Sequence, residues 1–293
     1  MPARASRGRS PEPRLPGSCA ALDHEAGTRD NRGVAYFEAE PGAATRALVE
    51  RISFSSDEGE PPFPTFRVVP DGGVDVLFSA LSGGACTAHV FGLKTRPLFV
   101  PNPEARDNVA LRLRPGAAAR LFRLPAHALA DEAPELRELV GARADALCAR
   151  VRDARDARER GAAIEAAFAE WSGALRAPDE DDALLHRMVL ALRRTRGTVR
   201  IAALADAERV GVRRLERLFR ARVGVGPKAY ARIVRFHAAY RALAAGADPL
   251  DAALAHGYFD HAHLCRDFRE LAGAPPRRIF PSAAGEAAAS LPA

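Results

Sequence analysis

Between residues 201 and 280 apolar positions recur every three or four residues, in short blocks punctuated by glycine, and this spacing predicts amphipathic helices. In "IAALADAERVGVRRLERLFRARVGVGP", residues 201–227, a short apolar helix at 201–207 precedes a turn, and a second helix starts near Gly211, a second-rank N-cap. Val212, Leu215, Leu218 and Phe219 follow i, i+3, i+6, i+7 spacing and make one buried stripe. Arg213, Arg214, Glu216, Arg217 and Arg220 occupy the opposite face. The arrangement recurs in "DPLDAALAHGYFDHAHLCRDFRELAG", with a helix at about 249–256, a turn at Gly257, an N-cap at Asp260 and a second helix from His261. There Leu264 and Phe268 form the core stripe. The intervening "PKAYARIVRFHAAYRALAAG" opens on Pro227 near a first helical position and stops at Gly246. Its Tyr230, Ile233, Phe236, Tyr240 and Leu243 lie along one side. About nineteen residues at 1.5 Å each give a rod of about 28 Å, close to the ~34 Å between successive major grooves on one face of B-DNA. Two helix-turn-helix units on one rod are the expected architecture of this region.

The N-terminal half carries a different period. Residues 33–125 read as mostly strand. In "TFRVVPDGGVDVLFSA" two β-branched runs flank Pro70-Asp71-Gly72-Gly73, where Pro presets φ and Gly supplies positive φ. "NVALRLRP" alternates Val109, Leu111 and Leu113 with Ala110, Arg112 and Arg114. After Pro115 the pattern turns helical, in 116–124 and 133–176. "APDEDD", 177–182, reads as a linker whose acidic residues suit the first turn of a following helix. The fold class expected is α+β: a β-rich N-terminal domain with a helical extension (33–176), then an all-α domain of two helix-turn-helix units joined by a linker helix (183–282).

Charge sharpens this division. Residues 193–280 hold 18 Lys/Arg against 8 Asp/Glu, whereas the whole 293-residue chain stands at only +6. A basic C-terminal third on an otherwise mildly acidic chain is the electrostatic footprint of nucleic-acid binding. Residues 1–32 are basic and rich in Pro and Gly, without an apolar run, and read as a disordered tail; 283–293 read as a flexible one. Cys19, Cys86, Cys148 and Cys265 lie far apart with no CxxC pair, which fits a reducing cytosol. No apolar run reaches the ~18 residues of a membrane span, so a cytoplasmic protein without a membrane partner is expected.

Residues 199–280 resemble the DNA-binding domain of AraC-family transcription regulators. The resemblance is carried by "LADAERVGVRRLERLFR", "VGVGPKAYARIVRF" and "ALAHGYFDHAHLCRDFRELAGAPPRRIF". It implies double-stranded DNA as partner, with Arg213, Glu216 and Arg217 as base-edge candidates in the first unit, and with Arg214 and Arg220 beside them. In the second unit it implies His261, Ala262 and Cys265, with Arg266 alongside. Arg bonds guanine O6/N7 bidentately and Glu accepts from cytosine N4, so the first helix is expected to carry most of the sequence specificity. Two departures stand out: Arg209 where the family usually has Gly, and Gly211 where it usually has Ser or Thr. Residues 33–125 resemble, through "VVPDGGVDVLF", "GLKTRPLFV" and "LRLRPGAAARLF", the uncharacterised β-rich domain often joined to such regulators. In the family such domains commonly bind a small effector, dimerise, or both. RNA polymerase and a second copy of the chain are further partners the resemblance admits, and an activator is the expected type.

Rival chemistry is thinly supported. His261 and Cys265 share a helix face at i, i+4, but His263 points elsewhere and His256 precedes the turn, so at most two ligands converge where zinc wants three or four. A cupin-like metal enzyme needs several histidines, and 33–125 hold only His89. No G-x-S-x-G precedes a helix. Cys86 in "GGACTAH" reads as a structural cysteine before a reactive one, and Asp71 as a turn cap, while Asp75 would meet a ligand if it faced inward. No enzyme, catalytic residue, metal or cofactor is therefore expected. The alternatives are a constitutive DNA-binding protein with a structural N-terminal domain, and a DNA-binding module fused to an uncharacterised enzyme domain.

Overall fold

The computed structural model describes residues 34–57, 65–81, 84–101 and 105–281. The tails expected at 1–32 and 283–293, and Cys19 with them, lie outside the described residues.

The N-terminal strands are β1 (Val34–Ala39), β2 (Val49–Asp57), β3 (Thr65–Val68), β4 (Val74–Leu81), β5 (Cys86–Phe91), β6 (Leu98–Pro101) and β7 (Ala105–Leu113). Five of them build an antiparallel sheet in the order β1-β2-β7-β4-β5, while β3 and β6 pair separately. The alternation in β7 is realised: Val109, Leu111 and Leu113 are buried, as period-two side chains on one face of a strand should be. They join Ile52, Phe54, Val76, Phe78 and Val90 in one core.

Helices α1 (Ala117–Leu121), α2 (Leu136–Val140), α3 (Ala142–Asp153) and α4 (Ala157–Gly173) follow, with a short 3-10 turn at Ala126–Ala128 after α1. Leu147 and Val151 of α3 and Ile164, Phe168 and Trp171 of α4 cover the buried sheet face. Gly161 permits that approach, since a Cβ there would lie 2.8 Å from the Phe54 ring.

Two connections go beyond what their local patterns specify. The Pro-Asp-Gly-Gly turn forms, with Asp71 Oδ1 accepting the Gly73 N–H at 2.9 Å and Gly72 at φ 81. Its flanking strands, however, belong to different sheets: β3 pairs with β6, and β4 with β5 and β7. The turn moves the chain between two layers. Residues 177–182 are only half a linker, because α5 (Glu180–Arg194) starts inside them. Asp179 caps the helix, its Oδ1 accepting Asp182 N–H at 2.8 Å while Asp182 Oδ2 accepts Asp179 N–H at 3.1 Å. Such a reciprocal box satisfies two orphan donors, and acidic side chains in the first turn suit the helix dipole.

The remaining helices are α6 (Ile201–Ala207), α7 (Val212–Arg222), α8 (Pro227–Ala244), α9 (Pro249–Ala255), α10 (His261–Ala272) and α11 (Pro276–Ile279). Two cores form along α8. Leu184, Leu185, Met188, Val189 and Leu192 of α5 pack with Leu215, Leu218, Phe219, Tyr230 and Ile233. Phe236, Ala239 and Leu243 pack with Ala252, Tyr258, Leu264 and Phe268. Tyr240, on the edge of the second core, stacks on Phe268 at 6.0 Å and meets Phe280 edge-on at 4.9 Å.

The β-rich part is docked on these helices. Arg193 of α5 donates to Glu50 of β2 at 2.6 Å and to the Tyr230 hydroxyl of α8 at 3.2 Å. Leu93, between β5 and β6, enters the first helical core. A Cβ at Gly72 would meet the Tyr230 ring at 3.1 Å. Asp75 is tied to Arg112 at 2.7 and 2.8 Å, and Asp71 meets the same guanidinium at 2.5 Å. Burial raises the Asp75 carboxyl above its ordinary range despite Arg112. Burial also pushes Asp71 upward, but Arg112 and the Gly73 N–H outweigh it and leave Asp71 below its ordinary value. No helix among the described residues is long and apolar enough to cross a membrane.

Candidate nucleic-acid interface

The first candidate helix, α7, is anchored by Leu215, Leu218 and Phe219. Val212, expected in that stripe, is 42% exposed; the stripe starts one turn later, and the first turn of α7 stands clear of the core. Arg213, Arg217 and Arg220 are exposed, and none has an ion pair among the described residues. Arg214 is exposed too, but its guanidinium meets Asp181 of α5 at 2.8 Å. Glu216 is half-buried and its carboxylate lies against Gly226, the N-cap of α8. Sequence periodicity grouped these five on one polar face; the structure leaves three free and engages two within the fold.

The second candidate helix, α10, opens on Asp260, whose Oδ1 accepts the His263 N–H at 2.6 Å. His261, Ala262 and Arg266 are exposed. Cys265 is a correction: only 9% exposed, it sits inward beside Leu264 and Phe268. Its Sγ lies 3.5 Å from His261 Nε2, so the imidazole covers the thiol and takes the outward position.

The histidine-rich stretch resolves into separate tasks. His263 receives the Phe259 N–H at 3.4 Å and packs edge-on against Tyr258 at 5.0 Å. His256 is 6% exposed, and burial holds its imidazole below the usual 6.5. Among the described residues no three His, Cys, Asp or Glu side chains gather as a metal site.

The axis of α10 is fixed to the rod by charge. Asp267, 3% exposed, meets Arg232 of α8 at 2.8 Å and Arg235 at 3.6 Å. Arg232 also bonds Glu270, and the Arg235 guanidinium lies 4.9 Å over the Tyr258 ring. A buried carboxylate is tolerated only when paired in this way. An open cleft of about 910 Å³ between the α6–α7 unit and α8 adds Arg200, Arg220 and Lys228 to that cationic surface.

Sequence reasoning passed over Arg269, Lys228, Arg200 and Phe259. Arg269 is exposed and follows Arg266 at i+3, a spacing that places both on one helix face. Phe259, 88% exposed immediately before the Asp260 cap, has no periodic signal because it lies in a turn.

Two helix pairs joined by one rod, the first with a strongly cationic second helix and the second with Arg266 and Arg269 turned outward, are the arrangement of a DNA-binding regulator. Residues 204–281 match the family model described as "Helix-turn-helix domain". The C-terminal domain is an AraC-type helix-turn-helix domain. It is joined to a second family match, "Domain of unknown function (DUF6597)", over residues 38–135. Among solved structures the chain is similar to ToxT from Vibrio cholerae O395, at 10% identity and TM-score 0.39, covering 74% of this chain and 95% of that one. It is also similar to wild-type ToxT from Vibrio cholerae strain SCE256 with unsaturated fatty acid bound, at 11% identity and TM-score 0.38, covering 86% and 97%. No curated protein matches the chain significantly in sequence.

Proposed function

We propose that this regulator grips duplex DNA in two successive major grooves, α7 reading one and α10 the next. Exposed, unpaired Arg213 and Arg217 on α7 carry this reading, because an arginine free of internal partners keeps its bidentate fork for guanine. His261, Ala262 and Arg266 are the corresponding outward positions of α10. Arg220, Lys228 and Arg200 serve as phosphate contacts, which set register rather than sequence. Arg214 and Glu216 take supporting places, since Asp181 and the start of α8 already hold them. Residues 183–282 act as the DNA-binding domain, and 33–176 as a sensor or interaction domain of a cytoplasmic protein. Contact with RNA polymerase and pairing with a second copy belong to the same reading.

Effector control is the finer part of the proposal. A recess of about 390 Å³ lies between α1, α2 and α4, walled by Leu121, Phe122, Leu139, Val140 and Trp171. Arg123 and Arg143 line it as well, so its size and mixed apolar and cationic lining suit a small effector that carries an acidic group. Next to it, Arg120 of α1 and Arg222 at the end of α7 converge on Asp182, at 3.7 and 3.4 Å, so the recess adjoins the base of the first recognition helix. Trp171 is the chain's one tryptophan, which makes its fluorescence a direct reporter. Titration with a panel of small organic acids that carry apolar bodies should give one class that shifts Trp171 emission saturably and changes DNA affinity together. An emission change with DNA affinity constant, or no change across the panel, removes effector control through this recess.

A further inference from the structure

A second pocket, of about 320 Å³, opens where α1, the segment after α4 and Arg222 at the end of α7 come together. Arg120, Arg123, Arg176 and Arg222 line it, with only alanine and leucine between them. The counter-charges are Asp179 and Asp182, and the α5 cap already uses half of each. Asp179 Oδ1 and Asp182 Oδ2 accept backbone N–H groups there, and Arg176 takes Asp179 Oδ2 at 2.6 Å. Arg222 is left with Asp182 Oδ1 at 3.4 Å and Asp179 Oδ2 at 3.5 Å. Arg120 makes one short bond, to the Arg176 carbonyl at 2.6 Å, and stands 3.7 Å from Asp182 Oδ2. A charge-assisted N–H···O bond spans about 2.7–2.9 Å, and a guanidinium carries five N–H donors. These two partly buried forks therefore hold more donors than the fold satisfies. Arg123 is exposed and has no ion pair among the described residues.

Four positive groups against two carboxylates leave an excess of two positive charges at the pocket. We propose that the pocket binds a phosphate monoester, its doubly charged head held by the forks of Arg120, Arg123 and Arg222. Such a head carries a charge of about −1.5 to −2 at neutral pH and offers three acceptor oxygens, and the planar guanidinium fork matches its geometry. A single carboxylate would leave about half of the excess charge unanswered. The volume leaves room for a small organic body beside the head. The pocket adjoins the effector recess, with Arg123, Ala174 and Leu175 in both walls. Its case stands on its own arginines, independent of the recess and of the DNA-binding assignments.

The test is isothermal titration calorimetry of the full-length protein in chloride buffer, near neutral pH and at constant ionic strength. Phenyl phosphate should bind once per chain and about tenfold more tightly than benzoate, which offers the same ring with a single charge. Arg120→Gln and Arg123→Gln should each weaken phenyl phosphate by about tenfold or more. Lys228→Gln, in the cleft beside α8, should leave its affinity as it was. Arg123 holds no other element in place, so its variant keeps the test readable if Arg120→Gln fails to fold. Inorganic phosphate binding as tightly as the ester would make free phosphate the ligand, and weaker binding would make it a phosphorylated metabolite. No saturable binding of phenyl phosphate, or benzoate matching it, would overturn the proposal. So would binding that survives both arginine substitutions, or that is lost with Lys228→Gln instead. Arg120 lines this pocket and not the recess, so an acid whose Trp171 response persists in Arg120→Gln while phenyl phosphate fails to bind wild type would sink this site and leave the recess standing.

Discussion

A polar face is a different thing from a free face, and the side chains of α7 and α10 separate the two. Arg217→Ala should relax base preference at one operator position and lose about 1–3 kcal/mol of discrimination there, read by binding-site selection. Cys265→Ala should leave the selected sequence unchanged and lower stability instead, because the thiol is inside. Hydrophobic spacing placed Leu215, Leu218, Phe219, Leu264 and Phe268 correctly in the core. Spacing did not overrule the outward place that the family resemblance implied for Cys265, because a small, half-apolar side chain at the edge of a stripe fits either side. It also had no access to the Arg214–Asp181 pair, which joins residues of different helices. Two imidazoles, His256 buried and His237 half-buried, give a second check at this scale. Burial holds His237 and His256 below the usual 6.5, with Asp71 opposing the shift at His237 and Arg112, Arg241 and Arg51 adding to it; Arg196 adds to it at His256. The folded chain then binds fewer protons than the unfolded one, so stability is complete above about pH 6.5 and declines as pH falls below it. The melting temperature should drop between pH 7.5 and 5.5, and by less in the doubly substituted His237→Gln, His256→Gln protein.

Helix ends and turns carry the next level. The α6–α7 turn places Arg209 at φ 53, a left-handed conformation, where Gly257 takes φ 72 in the second unit. The family's usual glycine in the first turn is therefore matched in backbone shape and missing in residue type. Arg209→Gly should relieve that strain, partly offset by greater freedom of the unfolded chain, for a net gain of about 0.5–1 kcal/mol in urea unfolding. Gly257→Ala should act oppositely, since its Cβ would approach Thr198 Cγ2 to 2.7 Å; a loss of about 1–2 kcal/mol is expected. Equal effects at the two positions would contradict this account of the turns. Most helices were legible because caps are local: Asp260, Pro227 and the Asp179–Asp182 box all lie within a few residues of the ends they fix. Strand partners were not. The Pro-Asp-Gly-Gly turn has a clear local signature, yet whether its strands share a sheet depends on β6 and β7, which come later in the chain.

For the molecule as a whole, the two halves meet through Glu50–Arg193–Tyr230, through the Asp71 turn, and through the Arg120–Asp182–Arg222 contacts. Nothing in periodicity or charge announced this docking, because each residue belongs to an element whose own pattern is complete without it. The proposed function turns on α8 itself, 18 residues and about 27 Å long at 1.5 Å per residue, with one helix-turn-helix unit packed at each end. Asp267 fixes the second unit to this rod, and the α5 core fixes the first. Hydroxyl-radical and methylation footprinting of the full-length protein on a selected operator tests that geometry most directly. Two patches of major-groove protection on one face of the duplex, centred about one helical turn apart, are the expected result. Protection confined to one groove, or spread without regard to sequence, would contradict it.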